Sequence, residues 1–266
     1  MPLAVCATPI GNLDDITLRV LEELRSADVV LAEDTRHSRG LLERHGIAAT
    51  LLSYHEHNEA SRVAELIPRL EAGERVALVT DAGMPLVSDP GARLVRAALD
   101  ANIPVTVLPG ASAVETALVA SGFGGGSYAF VGFLPRKPGE LDALWRETSS
   151  WECAVVAFES PQRLGASLRS LAAVDGAREV AVCRELTKRF EEVVRGAAVS
   201  LAEQFAEPPK GEVTLVVAPG AAALDLEGAL SAVGELVAAG APRGVAAEVV
   251  ARLSGVPRND LYRGTL

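Results

Sequence analysis

The sequence predicts an α/β protein: two successive α/β regions, followed by a short helical tail. Three observations predict it. Short apolar runs of β type alternate with segments of helical period through the first hundred-odd residues, the signature of a mostly parallel sheet. The run at Val76–Val79 breaks into Thr80-Asp81-Ala82-Gly83-Met84-Pro85-Leu86-Val87-Ser88-Asp89-Pro90-Gly91, a loop too rich in Gly, Pro and Asp for a plain connector. From Gly220 onward the composition turns Ala-rich, with helical spacing and no strand pattern.

Taken in order, Leu3–Ala7 reads as a strand stopped by Thr8-Pro9-Ile10-Gly11-Asn12. Asp14 and Asp15 then open a helix whose buried stripe is Ile16, Val20, Leu21 and Leu24. Val29–Ala32 is a second strand ending in Glu33-Asp34-Thr35-Arg36, with a short helix running to His45-Gly46. Leu51–Tyr54 is a third strand. Residues 60–72 form a helix that Pro68 should kink or shorten. After the central strand and loop come a helix over 92–101, a strand at Val105–Leu108, and a tight turn, Pro109-Gly110-Ala111-Ser112-Ala113, entering another helix.

Ser121–Ser127, with four glycines, is the expected linker. Beyond it, strands are expected at 129–131, 154–158, 180–183 and 213–218, with helices at 139–148, 162–173 and 198–206. Helices at 226–239, 243–254 and 258–264 close the chain, the last two resembling a helix-turn-helix. The expected units are therefore 1–121, 122–225 and 226–266.

Of the 266 residues, 49% are apolar, enough for real cores, but only 4% are aromatic, so Ala, Val and Leu must fill them. A net charge of −10 argues against a generally basic nucleic-acid coat, though not against a local patch. Cys6, Cys153 and Cys183 show no metal-ligand spacing and read as small buried hydrophobes in a reducing compartment. His55 and His57 lack a clear third ligand, so no metal is expected. No apolar run reaches membrane-spanning length, and the start lacks a basic segment followed by a long apolar core. A soluble, cytoplasmic protein is expected. Neither Gly-x-Gly-x-x-Gly nor Gly-Lys-Ser/Thr is present, which removes the dinucleotide fingerprint and the phosphate loop of nucleotide triphosphatases. Three stiff loops at the ends of parallel strands favour instead a small ligand cradled by main-chain groups.

The order of motifs Ala7–Leu13, Ala32–Arg36, Asp81–Pro85, Ser88–Gly91, Pro109–Ala113, Gly132-Phe133-Leu134-Pro135, Phe158-Glu159-Ser160-Pro161, Arg184–Lys188, Lys210-Gly211-Glu212 and Gly255–Tyr262 resembles the tetrapyrrole-methylase class, and within it the bacterial methyltransferases of small-subunit ribosomal RNA. The resemblance implies two α/β domains with S-adenosyl-L-methionine in the cleft between them, a helical C-terminal extension, and a homodimer. It implies 2′-O-methylation of a cytidine ribose in the decoding region of small-subunit rRNA, free or in the 30S subunit. It leaves two other readings: methylation of a tetrapyrrole or precorrin, and a non-catalytic protein that keeps the methyl-donor pocket and binds RNA. The class pattern Gly-Asp-Pro is Gly83-Met84-Pro85 here, and Gln162 stands where relatives often carry His.

The resemblance implies cofactor contacts from Pro9, Asp81, Ala82, Gly83, Met84, Val87, Ser88, Gly110, Ala111, Ser112, Phe158, Ser160, Leu186 and Thr214. Chemistry agrees for some of them. Asp81 and Ser88 suit hydroxyl or ammonium groups, Ser112 at a helix start suits a carboxylate, and Phe158 suits the adenine face. A ribose hydroxyl needs a proton acceptor. Glu33, Asp34, Glu185 and Lys188 are the candidates, with no choice among them. Arg36, Arg163, Arg184 and Arg189 are the expected phosphate contacts, joined by Lys188.

Overall fold

The computed structural model describes residues 2–220 and 226–265. A first sheet is built from β1 (Leu3–Cys6), β2 (Val29–Ala32), β3 (Leu51–Ser53), β4 (Val76–Leu78) and β5 (Val105–Leu108), in the order β3-β2-β4-β1-β5 with every pair parallel. Side-chain alternation divides its strands between two cores. Ala4, Cys6, Val30, Ala32 and Ala77 face α1 (Leu18–Ser26) and α2 (Thr35–Arg44). Leu3, Val5, Val29, Leu31, Val76 and Leu78 face α3 (Glu59–Glu71) and α4 (Ala92–Asp100).

The second sheet joins β6 (Tyr128–Phe133), β7 (Ala154–Glu159), β8 (Glu179–Arg184), β9 (Glu192–Ala197) and β10 (Val213–Val217), in the order β6-β7-β10-β8-β9. Only the β6–β7 pair is parallel. Its outer face packs on α6 (Pro138–Thr148), α7 (Leu164–Val174) and α8 (Ala198–Gln204). Its inner face is covered by α5 (Ala113–Ser121), whose Val114, Ala117 and Leu118 meet Val156, Ala181, Cys183 and Val216. The last helix of the expected 1–121 unit thus spends its apolar surface on the second sheet. The expected linker is also tied down at its start, where Arg195 donates to the Ala120 and Ser121 carbonyls.

The tail forms α9 (Leu226–Ala238), α10 (Arg243–Ser254) and α11 (Arg258–Gly264), around Ala229, Val233, Ala246, Ala247, Val250 and Leu261. The unit edge expected at 225 lies outside the described residues.

The structure corrects four local expectations. Asp14 and Asp15 sit in a separate 3-10 turn capped by Asn12, and α1 starts later because the Thr17 hydroxyl accepts from Val20 N–H. Pro68 neither stops nor shortens α3, which runs on to Glu71; so near a helix end it removes a single hydrogen bond. Strand β9 was not foreseen, since Glu192, Arg195 and Gly196 spoil its apolar pattern and an edge strand needs no buried face. An unbroken strand would put Arg184, Leu186 and Lys188 on one side. Instead β8 ends at Arg184, and left-handed φ angles at Glu185 (52°) and Thr187 (64°) coil the next residues back towards the first half.

Candidate functional site

Strands β1 and β4 are neighbours, but β1 leads to β2 on one side and β4 leads to β5 on the other. Open sheets bind ligands where the strand order reverses in this way, beyond the carboxyl ends. The two strand ends are fastened there. Thr8 and Gly83 exchange main-chain hydrogen bonds of 2.8 and 3.1 Å, and the Thr8 hydroxyl donates to the Thr80 carbonyl at 3.0 Å. The end of β2 joins them through Asp34 N–H, which donates to Asp81 Oδ1 at 3.1 Å.

A cavity of about 500 Å³ opens at this point, between the first-sheet edge and the inner face of the second sheet. That size suits a small organic ligand. The first half contributes Glu33, Asp81–Met84, Val87, Ser88, Asp89 and Ser112 to Val114; the second contributes Phe133, Phe158–Pro161, Leu186 and Gly211–Thr214. Backbone is stiffened in the loop after β4, where Leu86 (φ 73°) and Ser88 (φ 66°) hold left-handed conformations that cost side-chain-bearing residues energy.

The charge in this cavity is one-sided. Glu33, Asp81 and Asp89 form no ion pair among the described residues. Burial, foremost, and the negative charge of Asp81 hold the Glu33 carboxyl above its usual pKa, against a long 3.5 Å hydrogen bond from the Thr80 hydroxyl. Burial likewise pushes Asp89 up to about 6, with Glu33 and Asp81 adding repulsion and the Thr80 hydroxyl opposing. A cationic ligand would relieve both. The facing wall is apolar and aromatic: Phe158 lies edge-on to Phe130 and Phe133, at ring distances of 4.9 and 5.5 Å.

Eleven of the fourteen expected cofactor contacts line this cavity: Asp81, Ala82, Gly83, Met84, Val87, Ser88, Ser112, Phe158, Ser160, Leu186 and Thr214. Pro9 is buried behind the wall, Gly110 backs onto Ala7, and Ala111 packs among the apolar side chains near α5. The helix start at Ser112 is less open to an anion than expected, because Glu115 takes the Ser112 hydroxyl and is itself held by Tyr128.

Of the proton-acceptor candidates, only Glu33 lines the cavity. The Asp34 carboxylate caps α2 and chelates the Arg36 guanidinium at 2.7 and 3.1 Å, which holds its pKa well below the usual range. Glu185 accepts from Glu212 N–H and from Lys188 Nζ. Partial burial works against the charge on Lys188, yet the Glu212 (2.9 Å) and Glu185 (3.1 Å) carboxylates outweigh it and keep the ammonium protonated. A lysine so held is a poor proton acceptor.

The expected phosphate contacts divide in the same way. Arg163 donates to the Leu134 and Pro135 carbonyls and to Glu159, and Arg184 is committed to Glu192 and the Lys210 carbonyl. Arg36 and Arg189 are exposed, the latter 5.5 Å above the Phe190 ring. Sequence reasoning passed over Asp89, Glu212 and Phe133. Asp89 was within the quoted Ser-Asp-Pro-Gly motif, where its side chain had no assigned task.

Two α/β halves with a ligand cavity at the reversal of a parallel sheet define a class of small-ligand-binding proteins. The family model for Tetrapyrrole (Corrin/Porphyrin) Methylases matches residues 2–202, and the chain belongs to that family. S-adenosyl-L-methionine is the family's methyl donor. Over nearly its whole length the chain resembles proteins named ribosomal RNA small subunit methyltransferase I. It is 44% identical to that of Mesorhizobium japonicum over 99% of this chain and 91% of the relative. It is 45% identical to that of Micromonospora olivasterospora over 98% and 85%. Among solved structures, the methyltransferase CobJ aligns with a TM-score of 0.64 at 20% identity, over 82% of this chain and 94% of CobJ. Uroporphyrin-III-C-methyltransferase of Thermus thermophilus aligns at 0.57 and 23%, over 81% and 93%. At such identities they share the fold.

Proposed function

We propose that this chain methylates the 2′-oxygen of a cytidine ribose in small-subunit ribosomal RNA, using S-adenosyl-L-methionine. The observation that carries the reading is the set of carboxylates Glu33, Asp81 and Asp89, with no ion pair among the described residues, on one wall of the cavity, facing an apolar and aromatic wall around Phe158. This donor set fits a cationic, adenosine-bearing methyl donor. The nature of the acceptor rests on the relatives' name.

Asp81 and Asp89 would hold ammonium or hydroxyl groups, while Phe158, Leu186 and Val114 would enclose the adenosine. When bound, the group supplies an electrophilic methyl for in-line displacement. The protein's share is positioning and proton removal. Glu33 is the acceptor that the geometry supports: it lines the cavity, makes no ion pair among the described residues, and is held above its usual pKa, burial and Asp81 outweighing the weaker pull of His55. It would take the 2′-hydroxyl proton as the oxygen gains the methyl group, the methyl–sulfur bond breaking and its electron pair staying on sulfur as the neutral thioether leaves. Lys188, Glu185 and Asp34 act instead as ties in the frame.

With a net charge of −10, recognition falls to local contacts such as Arg36 and Arg189 and to the shape of folded RNA. The same reading makes the small subunit or its rRNA the partner, a homodimer the working unit, and the cytoplasm the compartment.

The test is incubation with methyl-labelled donor and small subunits lacking the mark. Label in a cytidine ribose is expected; label in a base, or none, overturns the reading. Asp81→Ala should weaken donor affinity by roughly tenfold, the value of about one charge-assisted contact, and calorimetry reads it.

A further inference from the structure

Phe133 is an anomaly of this surface. It is 62% exposed, yet it stands on the cavity wall beside the half-buried Phe158. Its orientation is built in. Along an unbroken strand, Phe130 and Phe133 would point to opposite faces, because their separation is odd. Between them β6 slips register: Phe130 pairs with Val156, but Phe133 pairs with Phe158. Three residues on β6 therefore span two on β7, the count of a bulge. Gly132 provides the left-handed turn (φ 71°) that the extra residue needs. The bulge returns Phe133 to the face of Phe130, and both rings meet the Phe158 edge.

The surroundings of Phe133 are those of a nucleotide rather than of a second protein. Across the mouth stands the loop after β4, where a Cβ on Gly132 would lie 3.7 Å from Ser88 Oγ. Directly after Phe133 come the exposed Arg136 and Lys137, in a chain that is acidic overall. Arg136 makes no ion pair among the described residues, and Lys137 pairs only with the exposed Glu140, at 2.8 Å, a solvent-screened contact that a phosphate can displace. A planar apolar face at a cavity mouth, followed by cations, matches a splayed nucleobase with its flanking phosphates.

We propose that Phe133 is the platform on which the target nucleobase stacks, with Arg136 and Lys137 meeting the adjoining backbone. This rests on the RNA reading above and specifies how the same site takes its acceptor. Phe133 is a substrate-positioning residue. The bulge exists to present it, so that the ribose of the stacked nucleotide is brought to the cavity holding Glu33.

The experiment compares Phe133→Ala, Phe133→Leu and Phe133→Tyr in the full chain. The side chain is exposed, so its replacement leaves the buried core intact, and thermal melting checks it. On unmethylated small subunits, Phe133→Ala should raise KM about tenfold or more, as loss of one base–aromatic stack predicts. Phe133→Tyr should stay near the parent, and Phe133→Leu should behave as Ala. Donor affinity by calorimetry should change less than about twofold. An unchanged KM in Phe133→Ala, full rescue by Leu, or an equal loss of donor affinity overturns the inference; the last would make Phe133 part of the donor pocket. A second arm is independent of activity. Binding of a dye-labelled single-stranded RNA containing cytidine, read by anisotropy, should weaken in Phe133→Ala and in Phe133→Leu but not in Phe133→Tyr. If the parent binds and the Ala variant does not, yet no subunit is methylated, the function reading fails and the stacking site stands. Equal RNA binding by all four proteins removes the site.

Discussion

The two sheets face one cavity but contribute different chemistry. In the first, all neighbours run parallel, so every carboxyl end points to one edge and the loops after β1, β2 and β4 meet there. That edge concentrates charge: Glu33, Asp81 and Asp89 stand together with no ion pair among the described residues. In the second sheet three of the four pairings are antiparallel, so the cavity receives the carboxyl ends of β6, β7 and β8 but the amino end of β10. These ends present mostly apolar side chains, Phe158 and Thr214 from the inner face and Leu186 just past β8, as a wall. Its one buried acid in that region, Glu159, is fully paired. The contrast teaches that a parallel edge can hold unpaired charge poised for a ligand, while the mixed sheet neutralises its charge to keep a shape.

The comparison predicts that removing a carboxylate has opposite consequences in the two halves. The larger effect belongs to Glu159. It is buried and accepts from Ser160 N–H at 2.6 Å, from Arg163 at 2.8 Å and from the Ser167 hydroxyl. Arg163 in turn holds the Leu134 and Pro135 carbonyls beside the β6 bulge. Glu159→Ala leaves Ser160 N–H and the Ser167 hydroxyl without this acceptor and Arg163 without its counter-charge, and should cost about 3 kcal/mol, the low end for breaking a buried pair because Arg163 is partly wetted. Urea unfolding measures it. A loss below about 1 kcal/mol would show that the second half does not depend on this pairing.

Asp89→Asn should do the reverse. The folded pKa of Asp89, about 6, lies above the unfolded value of about 3.9. Between those values the folded state holds more protons, so this group makes stability fall as pH rises through the window and stay low above it. The variant should lose that slope and be the more stable protein near neutral pH, while binding the methyl donor more weakly. Melting curves from acid to neutral pH read the first, calorimetry the second. A variant less stable than the parent at neutral pH would mean that Asp89 is paired after all, and that the two sheets treat charge alike.

Much of this contrast was legible in the sequence. Glu33 and Asp81 follow apolar runs whose alternation with helices already implied a parallel sheet, and strand ends in such a sheet must converge. The wall of the second half was harder to read. Phe133 looks like any strand residue until the β6–β7 register is known, because a bulge is a relation between two strands. Arg163 and Arg184 looked like surface cations, since a sequence does not show which carbonyls a guanidinium will meet. Strand β9 was lost because pairing along β8 substitutes there for an apolar pattern.

The smallest expected effect tests the seam between the halves. After β8 the chain coils at Glu185 and Thr187 and comes against the loop after β1, where the Thr187 hydroxyl accepts from Asn12 N–H at 3.0 Å. The fit is close: a Cβ on Gly11 would stand 2.5 Å from Lys188 Cγ and 2.9 Å from the Leu186 carbonyl. Thr187 is a β-branched residue at φ 64°, a conformation it adopts only under constraint. Thr187→Val keeps the branching and the strain and deletes only the hydrogen bond. Because the site is solvent-accessible, Asn12 N–H can turn to water, and the loss should be no more than about 1 kcal/mol. The more telling readout is donor affinity. If the seam sets the spacing of the two walls, Thr187→Val weakens donor binding more than it weakens the fold. If affinity is untouched, the charged edge alone holds the ligand and the facing wall serves the acceptor.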